Sequence, residues 1–209
     1  MRKADLERHL EAIPRPPHPS PDLEQYRTPA GIAAELLLAA NKDGAIAGKR
    51  VLDLGCGTGT FAVGAALLGA RLATGIDVDP DGVALAQGAA ANAGVQERTW
   101  FVTADMAAWH ADAGAFDTVV MNPPFGAQKG NKHADRVFLA RAIAAVKPKG
   151  TVWFLAMETT ERFLAATAKE AGAHLEKVAA WDYPLEETMA HHTRAVATVR
   201  VGGYRLAWA

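Results

Sequence analysis

Arg50-Val51-Leu52-Asp53-Leu54-Gly55-Cys56-Gly57-Thr58-Gly59 decides the fold. A short apolar run reads as a buried strand. Glycines at alternate positions then turn the chain sharply into an alanine-rich stretch near 59–69 that reads as a helix. Two phosphate-binding loops of similar appearance are excluded. A P-loop needs Lys-Ser/Thr after its last glycine, and none follows Gly59. A dinucleotide fingerprint needs glycine at position 60, where Thr60 stands. Asp53, just before the first glycine, would repel a pyrophosphate. It suits a cationic amino group instead.

Outward from this loop the pattern alternates. Strand-like runs occur at 50–54, 72–76, 99–103, 118–121 and 151–156, with two more near 175–181 and 195–201. Helical stretches fall near 30–40, 59–69, 80–93, 133–146 and 159–171. Strands alternating with helices predict an α/β domain built on a mostly parallel sheet covered on both faces. Gly48, Gly69, Gly94, Gly150 and Gly172 sit where helices or turns should end. Tyr183 to Arg194 reads as a loop between the last two strands, which makes that pair antiparallel. Residues 3–12 suit a short helix, and Ile13–Pro21 carries five prolines that cannot continue it. The expected organisation is an N-terminal extension with a Pro-rich connector over 1–21 and one domain over 22–209.

Composition sets further bounds. The 209 residues are half apolar and carry a formal net charge of −1, so no global basic field announces a nucleic acid. Cys56 is the lone cysteine, which rules out an internal disulfide and suits a reducing cytoplasm. No apolar run reaches the roughly 20 residues of a membrane span.

Two further acidic residues complete the first site. Asp77 ends the second strand, where a carboxylate accepts from ribose hydroxyls. Asp105 follows the third strand, where it suits an adenine amine, and Met106 could pack on the ring. Asp77, Asp79 and Asp105 also suit helix N-caps. With the glycine loop, however, they fit S-adenosylmethionine (SAM). The candidate cofactor set is Asp53, Gly55, Cys56, Gly57, Gly59, Asp77, Val78, Asp105, Met106 and Asn122.

Asn122-Pro123-Pro124-Phe125, after the apolar run Phe116–Met121, is the candidate catalytic corner. An exocyclic amine on a heteroaromatic ring is a poor nucleophile because its lone pair is delocalised. The Asn122 carbonyl and the Pro123 backbone carbonyl could accept its two N–H groups and free the lone pair. Tandem prolines preorganise those acceptors, and Phe125 could stack on the ring. Adenine N6, cytosine N4, guanine N2 and a glutamine amide all satisfy this chemistry. A scaffold that binds SAM without catalysis is the rival from a different class.

Leu23-Glu24-Gln25-Tyr26-Arg27-Thr28-Pro29, the glycine loop, Gly75–Asp79, Val120–Gly126, Tyr183-Pro184-Leu185 and His191-His192-Thr193-Arg194 occur in that order. In this the chain resembles the archaeal and eukaryotic family of methyltransferase-like protein five. The resemblance implies a class I, Rossmann-like SAM-dependent methyltransferase fold with a seven-stranded sheet whose last strand is antiparallel. It implies N6-methylation of adenosine in small-subunit ribosomal RNA, on an unpaired or flipped base. It places Gln25, Tyr26 and Thr28 near the methionine end of SAM. It also implies a small zinc-binding activator on a sheet edge, for which Thr99-Trp100-Phe101-Val102 is the candidate. Candidate RNA contacts are Lys129, Lys132 and His133 after the corner, and His191, His192 and Arg194 in the late loop. That late loop carries fewer lysines than the family's. Its paired histidines lack companions for a metal site.

Overall fold

A computed structural model gives the fold and describes residues 1–17, 27–106, 108–112, 114–125, 134–186 and 196–208. Helices α1 (Lys3–Glu11) and α2 (Ala30–Lys42) precede β1 (Arg50–Leu54), α3 (Thr60–Leu67), β2 (Leu72–Asp77), α4 (Pro80–Asn92) and β3 (Thr99–Thr103). Then follow β4 (Phe116–Met121), α5 (Ala134–Ala145), β5 (Val146–Met157), α6 (Glu161–Glu170), β6 (His174–Glu186) and β7 (Val196–Ala207). The sheet order is β3-β2-β1-β4-β5-β7-β6. β1 to β5 pair in parallel, and β7 is antiparallel to both β5 and β6. The expected α/β fold, with seven strands and an antiparallel last strand, is the fold found.

Alternation within the strands builds two cores. Val51 and Val120 face the layer of α1, α2, α3 and α4, whereas Leu52, Leu54, Val119 and Met121 face α5 and α6. β1 lies between β2 and β4, so the strand order reverses beside it. In an open α/β sheet the crevice outside the carboxyl ends at that point receives ligands.

The C-terminal strands differ from expectation. β6 continues to Glu186, so Tyr183, Pro184 and Leu185 belong to a strand and not to a loop. β6 is an edge strand, which tolerates the missing N–H of Pro184. Trp181 and Val201 stand level with Met157, the end of β5, so Asp182–Glu186 run past the sheet's edge as an arm. β5 also starts earlier than the sequence suggests. Val146 pairs with Phe116, but Thr118 pairs with Thr151, so Lys147–Gly150 form a bulge, with Lys149 at φ 64°. Gly150 therefore sits inside a strand rather than at a helix end.

The N-terminal helix is part of the core. Leu6 and Leu10 are fully buried. A side chain on Gly64 of α3 would collide with Leu37, and its Cβ would lie 3.2 Å from Leu10, so the glycine lets α1, α2 and α3 close up. The expected boundary at residue 22 falls outside the described residues.

Candidate active site

The glycine loop begins where β1 ends. Gly55, Gly57 and Gly59 all have positive φ, at 71°, 51° and 91°, so L-residues would be strained there. A Cβ on Gly55 would lie 2.8 Å from the Phe138 ring, and one on Gly59 2.9 Å from Ala86. A Cβ on Gly57 would meet open space, so the loop packs tightly on both flanks and is clear at its tip. Gly55 and Cys56 donate to the Ile76 carbonyl, at 2.8 and 3.0 Å, which fastens the loop to β2. The Cys56 side chain is buried beneath the loop beside Gly75, and burial raises its thiol well above the ordinary range. Only its backbone remains for a ligand.

Asp53 is almost wholly buried, and its Oδ2 accepts from the Ala62 amide at 2.8 Å, capping α3 from the strand. Its Oδ1 is buried without a hydrogen-bond partner. Burial pushes the carboxyl up to about 8, while the Ala62 amide pulls it down and Asp77 adds to the rise. An orphaned acceptor that resists ionisation is what a cationic amino group would satisfy. Asp77 accepts from Gly57 N at 2.8 Å and Asp79 N at 2.9 Å, which joins loop to strand. Burial raises its carboxyl too, against those two amides. Each oxygen keeps a lone pair for a hydroxyl. Val78 beside it is 45% exposed and so is free to pack against a flat ring. The capping alternative holds for Asp79, which accepts from Asp81 N at the start of α4.

Asp105 is exposed next to Ala104, whose amide donates to the Asp77 carbonyl at 2.8 Å. Met106 is buried in the core with Ile76 and Met121. Asp53, Gly57, Asp77, Val78 and Asp105 therefore lie on one rim, and the orphaned Asp53 oxygen with the clear tip at Gly57 fits SAM.

Asn122 follows β4 on the same rim. Its Nδ2 donates to Thr28 Oγ1 at 3.0 Å and to Tyr183 Oη at 3.2 Å. Its Oδ1, like that of Asp53, is buried with no partner. Phe125 stands edge-on to Tyr183, with centroids 5.5 Å apart and planes at 88°. Thr28 thus meets the candidate catalytic corner directly. Sequence reading did not assign Tyr183 to the site. Its one signal was the position of Tyr183-Pro184-Leu185 in the motif order.

Gln25, Tyr26, Lys129, Lys132, His133, His191, His192 and Arg194 lie outside the described residues. Several of the described basic groups are paired with acids. Arg2 and Arg8 both pair with Asp5, and Lys3 pairs with Glu35 and Glu7. Arg200 pairs with Asp182 and Glu158, and Arg205 with Asp43 and Glu176. Arg136 lies 4.6 Å over the Phe163 ring. Among the described residues no helix is long and apolar enough to cross a membrane.

Comparison with known proteins gives the family. A family model described as the methyltransferase small domain matches residues 30–200. The rRNA N(6)-adenosine-methyltransferase METTL5 of Danio rerio is 32% identical, with 96% of each chain covered. An uncharacterized protein of Methanocaldococcus jannaschii is 39% identical over 68% of this chain and 67% of its own. The crystal structure of an RNA-methyltransferase candidate from Pyrococcus horikoshii superposes with a TM-score of 0.86 at 30% identity, covering 99% of this chain and 98% of that one. The magnesium protoporphyrin IX methyltransferase of Synechocystis, solved with bound SAM, shares the fold at a TM-score of 0.62 and 17% identity, over 85% of this chain and 78% of its own. The chain is a SAM-dependent methyltransferase that belongs to the methyltransferase small-domain family and, within it, to the METTL5 family.

Proposed function

We propose that the chain methylates N6 of an unpaired or flipped adenosine in small-subunit ribosomal RNA. The observation that carries this reading is the buried, unpartnered Oδ1 of Asn122 at the end of β4. A relative that matches along nearly its whole length is an rRNA N(6)-adenosine-methyltransferase, and this narrows the planar amines that such an acceptor would serve. When bound, SAM supplies a methyl group activated by a cationic sulfur. Asn122 Oδ1 and the Pro123 carbonyl accept the two N–H groups of the adenine amine. The amine nitrogen is drawn toward tetrahedral geometry and its lone pair is released from the ring. Phe125, braced by Tyr183, offers a ring to the base. Asp53 holds the cofactor's amino group and Asp77 its ribose. Most of the rate then comes from alignment. Lys129, Lys132, His133, His191, His192 and Arg194 would meet the phosphates, and Gln25 and Tyr26 the methionine end of the cofactor. A ribosomal substrate goes with a cytoplasmic site of action.

The test is transfer of labelled methyl from SAM to total RNA and total protein from cells that lack the enzyme, followed by digestion of each fraction to nucleosides or amino acids. Label in N6-methyladenosine of the small subunit is expected. Label in methylglutamine or in N2-methylguanosine would replace the reading.

The activator belongs to the same proposal. β3 is an edge strand, and Trp100 on it is 64% exposed while Phe101 is buried. An unpaired edge carrying a bare indole invites a strand from a small zinc-binding partner. Trp100→Glu is expected to weaken that complex by about 10- to 100-fold, since central aromatic anchors carry about 1.4–3 kcal/mol or more. Co-purification and titration calorimetry check it. Full solubility and activity of the isolated chain would count against a partner.

A further inference from the structure

Asn122 can accept from a substrate amine only if its carboxamide is held one way round. Turned end for end, it would set an NH2 group against an NH2 group. Two contacts bear on the choice, from Nδ2 to Thr28 Oγ1 at 3.0 Å and to Tyr183 Oη at 3.2 Å. Hydroxyls both donate and accept, so these distances alone leave the orientation open. Tyr183 bears on it most. Its hydroxyl lies 3.5 Å from the Arg27 carbonyl, a long contact, and donation there leaves its oxygen to accept from Asn122. Tyr183 is fully buried, and burial pushes its hydroxyl up to about 12, so the proton stays in place. The Arg27 carbonyl is fixed in turn, because the Arg27 guanidinium donates to the Leu10 carbonyl at 2.6 Å and lies 3.5 Å from Glu11. A chain of contacts therefore runs from α1 through Arg27 and Tyr183 to Asn122.

We infer that Tyr183 and Thr28 are positioning residues for methyl transfer: their hydroxyl oxygens hold the Asn122 carboxamide with Oδ1 free for the substrate amine. The inference rests on the reading of Asn122 as the amine acceptor. The competing role for Tyr183 is packing alone, as a ring under Phe125. Tyr183→Phe separates the two, since it keeps the ring and removes only the oxygen.

The experiment compares kcat, KM for RNA, calorimetric SAM affinity and melting temperature. The variants are Tyr183→Phe, Thr28→Val, Thr28→Ser, the Tyr183→Phe/Thr28→Val double and Asn122→Ala. Tyr183→Phe and Thr28→Val are each expected to lower kcat about tenfold, the effect of roughly one hydrogen bond on a barrier, with KM and cofactor affinity within about twofold. Thr28→Ser recovers most of what Thr28→Val loses. The double variant, whose amide is free to turn, falls about a hundredfold or more. Unchanged kcat in both single variants overturns the inference. So does a loss of kcat that only tracks loss of cofactor affinity and melting temperature. Turnover surviving in Asn122→Ala would overturn the reading of the corner itself, which is a distinguishable failure.

Discussion

Asn122→Ala is expected to abolish turnover while cofactor binding persists. The Oδ1 atom is buried and makes no hydrogen bond within the protein, so removing it forfeits no hydrogen bond that the fold uses. What disappears is a preorganised acceptor at the reacting nitrogen. Losing one such group typically costs about 10²–10³ in kcat, and loss of alignment adds to it. Asp53, Asp77 and the glycine loop are untouched, so the calorimetric affinity for SAM should stay within about threefold. The truncation also frees Thr28 and Tyr183 of a shared donor, which costs roughly 1–2 kcal/mol of stability. A melting curve separates that cost from the loss of chemistry. Turnover within tenfold of the parent enzyme would remove Asn122 from the mechanism.

The second large effect concerns pH. Asp53 is raised from its usual 3.8 to about 8, chiefly by burial. Between those values the folded protein retains a proton that the unfolded chain has released. The stability from this group is therefore complete below about pH 3.8 and declines as pH rises toward 8. Cofactor binding should run the opposite way. A cationic amino group against Oδ1 favours the carboxylate, so binding near pH 7 must expel a proton. Affinity for SAM is then expected to rise from pH 6 to pH 8, by at most about tenfold per unit. It should fall above that as the cofactor's own α-amino group, near 7.7–8.0, loses its proton. Calorimetry in buffers of different ionisation enthalpy would count the proton directly. Asp53→Asn keeps an acceptor for Ala62 N but loses the carboxylate. It should weaken binding about 10- to 100-fold and flatten its pH dependence. A dissociation constant that is level from pH 6 to 8 in the parent enzyme would show that Asp53 does not meet the amino group.

Legibility in the sequence followed the range of the interaction concerned. The glycine loop, Asp53, Asp77 and the Asn-Pro-Pro-Phe corner could be read because local rules constrain them: positive φ, strand ends and tandem prolines. The edge position of β3 was not legible in Trp100 and Phe101 themselves, because large apolar residues on both faces fit a fully buried strand equally well. The resemblance alone pointed to an edge. Tyr183 could not be assigned from local rules either. Pro184 beside it signals a turn, and only the edge position of β6 makes that proline harmless. Thr28 looked like a helix cap or a cofactor contact, because nothing in a linear reading places it 3.0 Å from Asn122. The bulge at Lys147–Gly150 was hidden for a related reason. Its proline and glycine look like a terminus until Phe116 and Thr118 are seen pairing on either side of it.

The contacts that orient Asn122 also bear on synthesis. Asn122 lies 94 residues from Thr28 and 61 from Tyr183, so the corner is closed by two long loops of chain. Such contacts form late, because the entropy of closing those loops must be met before they contribute. Translation adds roughly 5–20 residues per second, so a nascent chain with β1 to β4 folded waits several seconds before Tyr183 emerges. Until then the Asn122 amide has Thr28 alone to hold it. Methyl transfer by this chain would thus report completed folding, and a ribosome-bound intermediate could hold cofactor without modifying the RNA around it.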